Sequence, residues 1–450
     1  MEIRQKHIAI IGAERSGVSA AKLIQKLGGY PFVSDFSSEE KVASSTALLR
    51  ELNIPYEVGG HSDKVLGSDF IVVSPGVPSD APIIKVAKER GIAVIGEIEL
   101  AASFCKGSII AITGTNGKTT TTSLMGHVLT TAGISTFIAG NIGLPLSEIV
   151  LDVPEDGVVA LEVSSFQLDT IRDFKPEISM ILNITPDHLN RYNYRFEDYR
   201  DAKFRVFMNQ NGGDILIINA DNESLHAVPD LAKTKVRSFS TKNEITDGCY
   251  LQNSTIIYKE AGALKFSIDT NELLLKGEHN YANVMAVIIA SYWLAIDGGS
   301  LAKALRSFTG VEHRLEPVAV IKGISFINDS KATNVDSVYY ALRSYTNKLL
   351  LILGGQDKGN DYAQIEELVL QNVKKIYAIG ASADKVINFF DGKVPVEKKA
   401  DLKACVKSGI IDGSEGDIVL LSPACASFDM FKNYEHRGQE FKKAVMEILQ

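Results

Sequence analysis

Short apolar runs alternating with helix-length amphipathic stretches fill this chain, and no other feature narrows its fold as far. Parallel strands buried on both faces read as unbroken Val/Ile/Leu runs, and each needs a crossover, usually a helix, before the next. The pattern starts three times. The first stretch holds HIAIIG at 7–12, YPFVSD at 30–35 and DFIVVSPG at 69–76. The second opens with SIIAITGTNGKTT at 108–120 and continues through VVALEV (158–163), ISMILN (178–183) and DILIIN (214–219). The third follows HRLE at 313–316 and holds ISFINDS (324–330), KLLLILGG (348–355), KIYAIG (375–380) and DIVLLSPA (417–424). The expectation is three α/β domains, at 1–105, 106–311 and 312–450. Between 235 and 276 short alternating runs such as YLQNSTIIYK predict a small antiparallel sheet within the middle domain.

Composition excludes several classes. A length of 450 residues, 45% of them hydrophobic and 23% charged, suits a globular protein with several cores. A net charge of −8 argues against a nucleic-acid partner, because phosphate backbones select basic surfaces. Cys105, Cys249, Cys405 and Cys425 form no CxxC pair and read as buried thiols in a reducing cytoplasm. The N-terminal apolar run is short and meets a turn glycine, so it predicts a first strand, not a signal peptide. No apolar stretch is long enough for a membrane span. The expected state is a cytoplasmic monomer.

TGTNGKTT at 113–120 carries the most chemistry. It follows a buried strand and precedes a helix-like run ending near Gly133. Backbone N–H groups of a glycine-rich turn at a helix N-terminus form an anion nest, reinforced by the helix dipole. Gly114, Thr115, Asn116, Gly117, Lys118, Thr119 and Thr120 therefore read as an ATP cradle. Lys118 would reach the β- and γ-phosphates, and the Thr119 hydroxyl would touch Mg²⁺. Ile112 stands where the common pattern has its first glycine, so the loop is a variant.

Glu162 ends the run VVALEV, where a carboxylate beside a phosphate loop suits Mg²⁺; a solvated strand-end glutamate is the competing reading. His188 lies in the polar loop after ISMILN, and a lone histidine is more often structural than a ligand. Lys203, in the amphipathic run YRDAKFRVF, reads from composition alone as a surface lysine. Asn280 and Asn283 fall in the first turns of a long apolar helix, where amides face a ligand or cap the helix. In the first domain Gly12, Gly17 and Asp35 approximate a dinucleotide fingerprint, but Glu14 replaces its middle glycine and speaks against an NAD role.

TGTNGKTT is similar to the signature of the Mur ligases and their folylpolyglutamate synthase relatives, which are ATP-dependent acid–amino acid ligases, and the resemblance extends over the whole chain. It implies a Rossmann-like N-terminal domain, a central P-loop ATPase-like domain with a mostly parallel sheet, and a Rossmann-like C-terminal domain. It also implies that Lys203 is carbamylated by CO₂ and that its carbamate, with Glu162, His188 and Thr119, holds two Mg²⁺ ions. Lys118, His188 and Lys203 become the catalytic set, His188 as a metal ligand first and a proton carrier second. Asn280, Asn283, Arg314, Asp329 and Lys331 would approach ATP. Ser16, Asp35, Phe36, Ser37, the turn Ser74, Pro75 and Gly76, with Asn141, Ser164 and Gln167, would hold UDP-N-acetylmuramoyl-L-alanine. Thr333, Lys358, Ser427 and Tyr434 would hold D-glutamate. The implied reaction passes through an acyl phosphate and releases ADP and phosphate, with the last domain closing over the middle one. The loop and motif typical of the L-alanine-adding and diaminopimelate/lysine-adding members are absent, while SPACASFD at 422–429 fits the D-glutamate-adding branch. The alternatives are another Mur ligase, a folylpolyglutamate synthase-like ligase, or a non-catalytic nucleotide-dependent switch.

Overall fold

A computed structural model describes residues 1–357 and 359–449. Each of the three stretches builds its own sheet. The first sheet holds β1 (His7–Ile11), β2 (Tyr30–Asp35), β3 (Tyr56–Val58), β4 (Phe70–Val73) and β5 (Ala93–Gly96) in the order β3-β2-β1-β4-β5, all parallel. The order reverses beside β1, and the crevice at such a point, outside the C-terminal strand ends, is where open α/β sheets take ligands.

The second sheet holds β6 (Ser108–Thr113), β7 (Thr136–Gly140), β8 (Val158–Glu162), β9 (Ile178–Ile181), β10 (Ile215–Asn219), β11 (Lys235–Ser240), β12 (Gly248–Gln252), β13 (Thr255–Glu260) and β14 (Ala263–Asp269). Their order is β14-β13-β12-β11-β10-β9-β6-β8-β7. The expected antiparallel part is present as the continuation of this sheet: β12 pairs parallel with β11, then antiparallel with β13, which pairs antiparallel with β14. Backbone hydrogen bonding runs on from β11, so these short runs extend an existing edge.

The third sheet holds β15 (Glu316–Ile321), β16 (Ile324–Asn328), β17 (Leu349–Gly354), β18 (Val373–Ile379), β19 (Val396–Lys398) and β20 (Ile418–Leu421) in the order β15-β16-β20-β17-β18-β19. Only the β15–β16 pair is antiparallel. Leu349, Leu351 and Leu353 pack on one face of this sheet and Leu350 and Ile352 on the other, as the period of two requires.

The chain divides into two compact units, 1–273 with 281–308, and 274–280 with 309–450. Within the first unit, the first two sheets share one apolar cluster running from Ile10 and Leu100 to Leu146, Leu161 and Leu216. Two buried carboxylates fasten it. Glu99 accepts the backbone N–H groups of Arg172, Asp173 and Phe174 at 2.8, 2.9 and 2.9 Å, and Glu97 accepts that of Ser147. Cys249, Cys405 and Cys425 are buried free thiols, as expected; Cys105 is half-buried, its Sγ donating to the Gly107 carbonyl, because it sits in the short turn before β6. No helix among the described residues is long and apolar enough to cross a membrane.

Candidate active site

The phosphate-type loop leaves β6 and enters the helix Lys118–Thr131 through two glycines at positive φ. Gly114 has φ +152° and Gly117 φ +86°, the latter as the left-handed N-cap. A Cβ on Gly117 would lie 2.5 Å from Asn283 Oδ1. The segment after β9 braces the loop. Asn183 Oδ1 accepts from the Asn116 N–H at 2.8 Å while its Nδ2 donates to the Asn116 carbonyl at 3.0 Å, and Thr115 Oγ1 exchanges hydrogen bonds with both backbone groups of Thr185. Asn183 was not singled out from sequence; an asparagine ending the strand beside the loop's own strand was the available signal.

Lys118 Nζ donates to the carbonyls of Gly114 and Thr115 at 2.8 and 2.7 Å. Lys203, from the helix Phe196–Phe204, is only 1% exposed and donates to the same Gly114 carbonyl at 2.9 Å. Its Nζ also lies 4.7 Å from the centre of the Tyr199 ring. Burial, then the neighbouring Lys118 charge, hold its amine well below the usual lysine range; Asp187, Glu162 and Asp169 pull the other way and lose. The surface-lysine reading does not survive, because helix packing turns this side chain inward.

Glu162 closes β8 with 1% exposure. One carboxylate oxygen accepts from Asn141 Nδ2 at 3.0 Å; the other is buried and without a hydrogen-bond partner among the described residues. An unmatched buried carboxylate oxygen is costly, and a hard cation with oxygen ligands suits it. His188, at φ +51°, stands at the rim with its side chain 44% exposed, beside Asp187 and edge-on to Phe166. Thr119 and Thr120 are buried in the helix's first turn. Ser164 and Gln167, both buried, bond each other in the capping box of the helix Ser165–Leu168.

In the first sheet's crevice, Asp35 accepts from the N–H groups of Ala13 and Ser37 at 2.6 and 2.7 Å, tying the glycine turn after β1 to the end of β2. Ser74 Oγ donates to the Gly12 carbonyl at 3.1 Å, and a Cβ on Gly17 would fall 1.8 Å from that oxygen. Phe36 is 77% exposed beside them. Ser16, Pro75 and Gly76 flank the same crevice in sequence. A cavity of about 340 Å³ lies between the first two sheets, its walls including Ser74, Pro75, Phe166, Gln167, Arg172 and Arg191.

In the second unit the predicted residues sit mainly on loops leaving the neighbouring strands β16 and β20. Asp329 accepts from Ser422 Oγ at 2.8 Å; burial pushes its carboxyl up to about 7 against the nearby Arg314 charge. The Arg314 Nε is buried without a partner among the described residues. Lys331 Nζ lies 5.2 Å from the Tyr434 ring centre, and Ser427 is buried in the β20 loop. Thr333 follows on the β16 loop, and Lys358 lies outside the described residues. Asn280 belongs to this unit, where its Nδ2 donates to the Lys276 carbonyl at 2.8 Å; Asn283 belongs to the first. Buried Arg437 joins the two loops, donating to Ser330 Oγ, the Ser330 carbonyl and the Cys425 carbonyl at 3.0, 2.7 and 3.0 Å. Sequence reasoning did not single it out.

Three α/β domains in series, the second opened by a variant phosphate loop, are the architecture of the Mur ligases, and this chain belongs to that family. It matches the MurD-like N-terminal domain over 6–96, the Mur ligase middle domain over 112–291 and the Mur ligase glutamate ligase domain over 313–425. Its relatives narrow the class further. It is 42% identical to the UDP-N-acetylmuramoylalanine–D-glutamate ligase of Koribacter versatilis across 100% of this chain and 99% of that one. It is 43% identical to the enzyme of the same name from Acidobacterium capsulatum, across 99% and 97%. Among solved structures, the UDP-N-acetylmuramate–alanine ligase of Thermotoga maritima shares the fold with a TM-score of 0.62 at 20% identity, covering 98% of this chain and 100% of that one.

Proposed function

We propose that this enzyme uses ATP to join D-glutamate to the alanyl carboxylate of UDP-N-acetylmuramoyl-L-alanine, a step in cytoplasmic peptidoglycan precursor synthesis. Domains at 1–105, 106–311 and 312–450 take the UDP-sugar, ATP and the amino acid in turn, and the chain acts as a monomer. The observation that carries the reading is the cluster of Lys118, Lys203 and Glu162 behind the phosphate loop, with one Glu162 oxygen unmatched. Two anions must meet there, the substrate carboxylate and the γ-phosphate, at about 3–3.5 Å. Magnesium, held by Glu162, Thr119, His188 and a carbamylated Lys203, supplies charge neutralisation when bound.

The chain's own residues do the rest. Backbone N–H groups of 114–120 cradle the phosphates, and Lys118 swings from its carbonyl partners to the γ-phosphate. Asn280, Asn283, Arg314, Asp329 and Lys331 complete the nucleotide site. A carboxylate oxygen of the UDP-sugar substrate displaces ADP from the γ-phosphorus, giving an acyl phosphate. The D-glutamate amine then attacks its carbonyl carbon, loses a proton and expels phosphate. Ser16, Asp35, Phe36, Ser37, Ser74, Pro75, Gly76, Asn141, Ser164 and Gln167 position the first substrate. Thr333, Lys358, Ser427 and Tyr434 position the second, a cation and hydroxyls meeting its carboxylates. The neutral Lys203 amine adds to CO₂ and releases a proton, leaving an anionic carbamate.

ADP release measured across a panel of amino acids and UDP-sugar acceptors tests the reading. Release that requires both D-glutamate and UDP-N-acetylmuramoyl-L-alanine supports it; release indifferent to both would indicate a nucleotide switch. For the carbamate, activity lost in Lys203→Ala and restored by short carboxylic acids is the expected result, and failure of rescue removes that role.

A further inference from the structure

Phe36 and His61 follow the C-terminal ends of β2 and β3, adjacent parallel strands, at the edge of the sheet where ligands bind. Their ring centres are 6.2 Å apart at 41°. Phe36 is largely exposed, while His61 is half-buried and bonded through Nδ1 to Ser34 Oγ at 2.7 Å.

That contact determines where the imidazole proton sits. Ser34 is fully buried, and its hydroxyl has one hydrogen to give. Glu57 Oε1 lies 2.7 Å from the same Oγ and also accepts from the Ser62 N–H at 2.8 Å. Burial works to raise the Glu57 carboxyl, but hydrogen bonds from Ser62 and Ser34 outweigh it and hold the group below its usual range. Glu57 is therefore an acceptor only, and Ser34 donates to it. The Ser34 oxygen must then accept from His61, which places the proton on Nδ1. Burial keeps the ring neutral against the pull of Glu57 and Asp35. Nε2 is left as an acceptor, on a ring whose centre lies 6.2 Å from that of Phe36.

We infer that His61 reads the imide N–H of a uracil ring stacked on Phe36, and so sets the base preference of the first domain. Uracil offers a hydrogen at N3 to this lone pair. Cytosine offers a lone pair at the same position, and two acceptors repel. The inference rests on the reading of the first domain as the UDP site.

Calorimetric titration of the full-length protein with UDP and with CDP tests both levels. The wild type should prefer UDP. His61→Ala should weaken UDP about tenfold, one hydrogen bond's worth, and leave CDP bound as well as before or better, since the opposing acceptor is gone. Phe36→Ala should weaken both alike, because stacking does not distinguish the bases. Ser34→Ala keeps the ring but releases its tautomer, and should narrow the preference without abolishing binding. A UDP-to-CDP ratio unchanged in both His61→Ala and Ser34→Ala, whether affinities hold or fall together, overturns the inference and leaves the substrate reading standing. Failure of the wild type to bind either nucleotide overturns the two together.

Discussion

Lys118 and Lys203 donate to one oxygen, the Gly114 carbonyl, at 2.8 and 2.9 Å. Two ammonium groups brought this close disfavour each other's charge, and the buried partner gives up its proton first. The arrangement separates their chemistry: Lys118 stands ready for phosphate, while burial and the Lys118 charge favour the neutral amine form of Lys203.

Lys118→Ala should reduce turnover by at least about 10²–10³-fold, the cost of one charge-stabilising donor, with the fold intact. ADP release and circular dichroism together check this, and near-normal activity would refute the phosphate-loop assignment.

Lys203→Met should inactivate the enzyme yet raise its thermal stability in CO₂-stripped buffer. A lysine with a depressed folded pKa destabilises the fold fully below that pKa, and the penalty fades as pH rises towards the ordinary value of 10.5. Melting curves should thus show the gap between variant and wild type widest at the acid end of the range and shrinking as pH rises.

Glu162→Gln removes the unmatched carboxylate oxygen. The variant should need much more Mg²⁺ for half-maximal activity and, without metal, melt no lower than the wild type. An unchanged magnesium dependence would count against the metal role.

Asp329 has a carboxyl raised to about 7 from 3.8, so its contribution to stability is intact below 3.8 and lost as pH rises through 7. Asp329→Asn should therefore gain stability relative to the wild type between pH 5 and pH 8, read as a difference in Tm at the two values. A gap that does not grow with pH would show that the carboxyl is not held protonated.

Gly117→Ala meets both a positive φ and an Asn283 oxygen at 2.5 Å. Strain of about 1–2 kcal/mol from the backbone alone is expected, with nucleotide affinity lost alongside it. Denaturant titration and ATP binding measure the two effects separately.

The three α/β repeats, the phosphate loop and its following helix were legible from residue order alone. Their signals are local: apolar runs of strand length, a glycine turn, a helix start. An antiparallel part within 235–276 was legible too, though only β12, β13 and β14 pair that way and β11 runs parallel to both its neighbours; that they continue the main sheet was not, since strand partnership depends on which edge is free. Glu162 was visible as a strand-end carboxylate, but not its unmatched oxygen.

What only the fold decided is the state of individual polar groups. Nothing in YRDAKFRVF says that Lys203 is buried against Gly114, nothing in GGHSDK says which nitrogen of His61 carries its proton, and nothing in NYEHRG marks Arg437 as the tie between two loops. Sequence determines which chemistry a chain possesses and the elements on which it rides. Charge, tautomer and reactivity depend on distances between residues tens to hundreds of positions apart, and those distances exist only once the chain has packed.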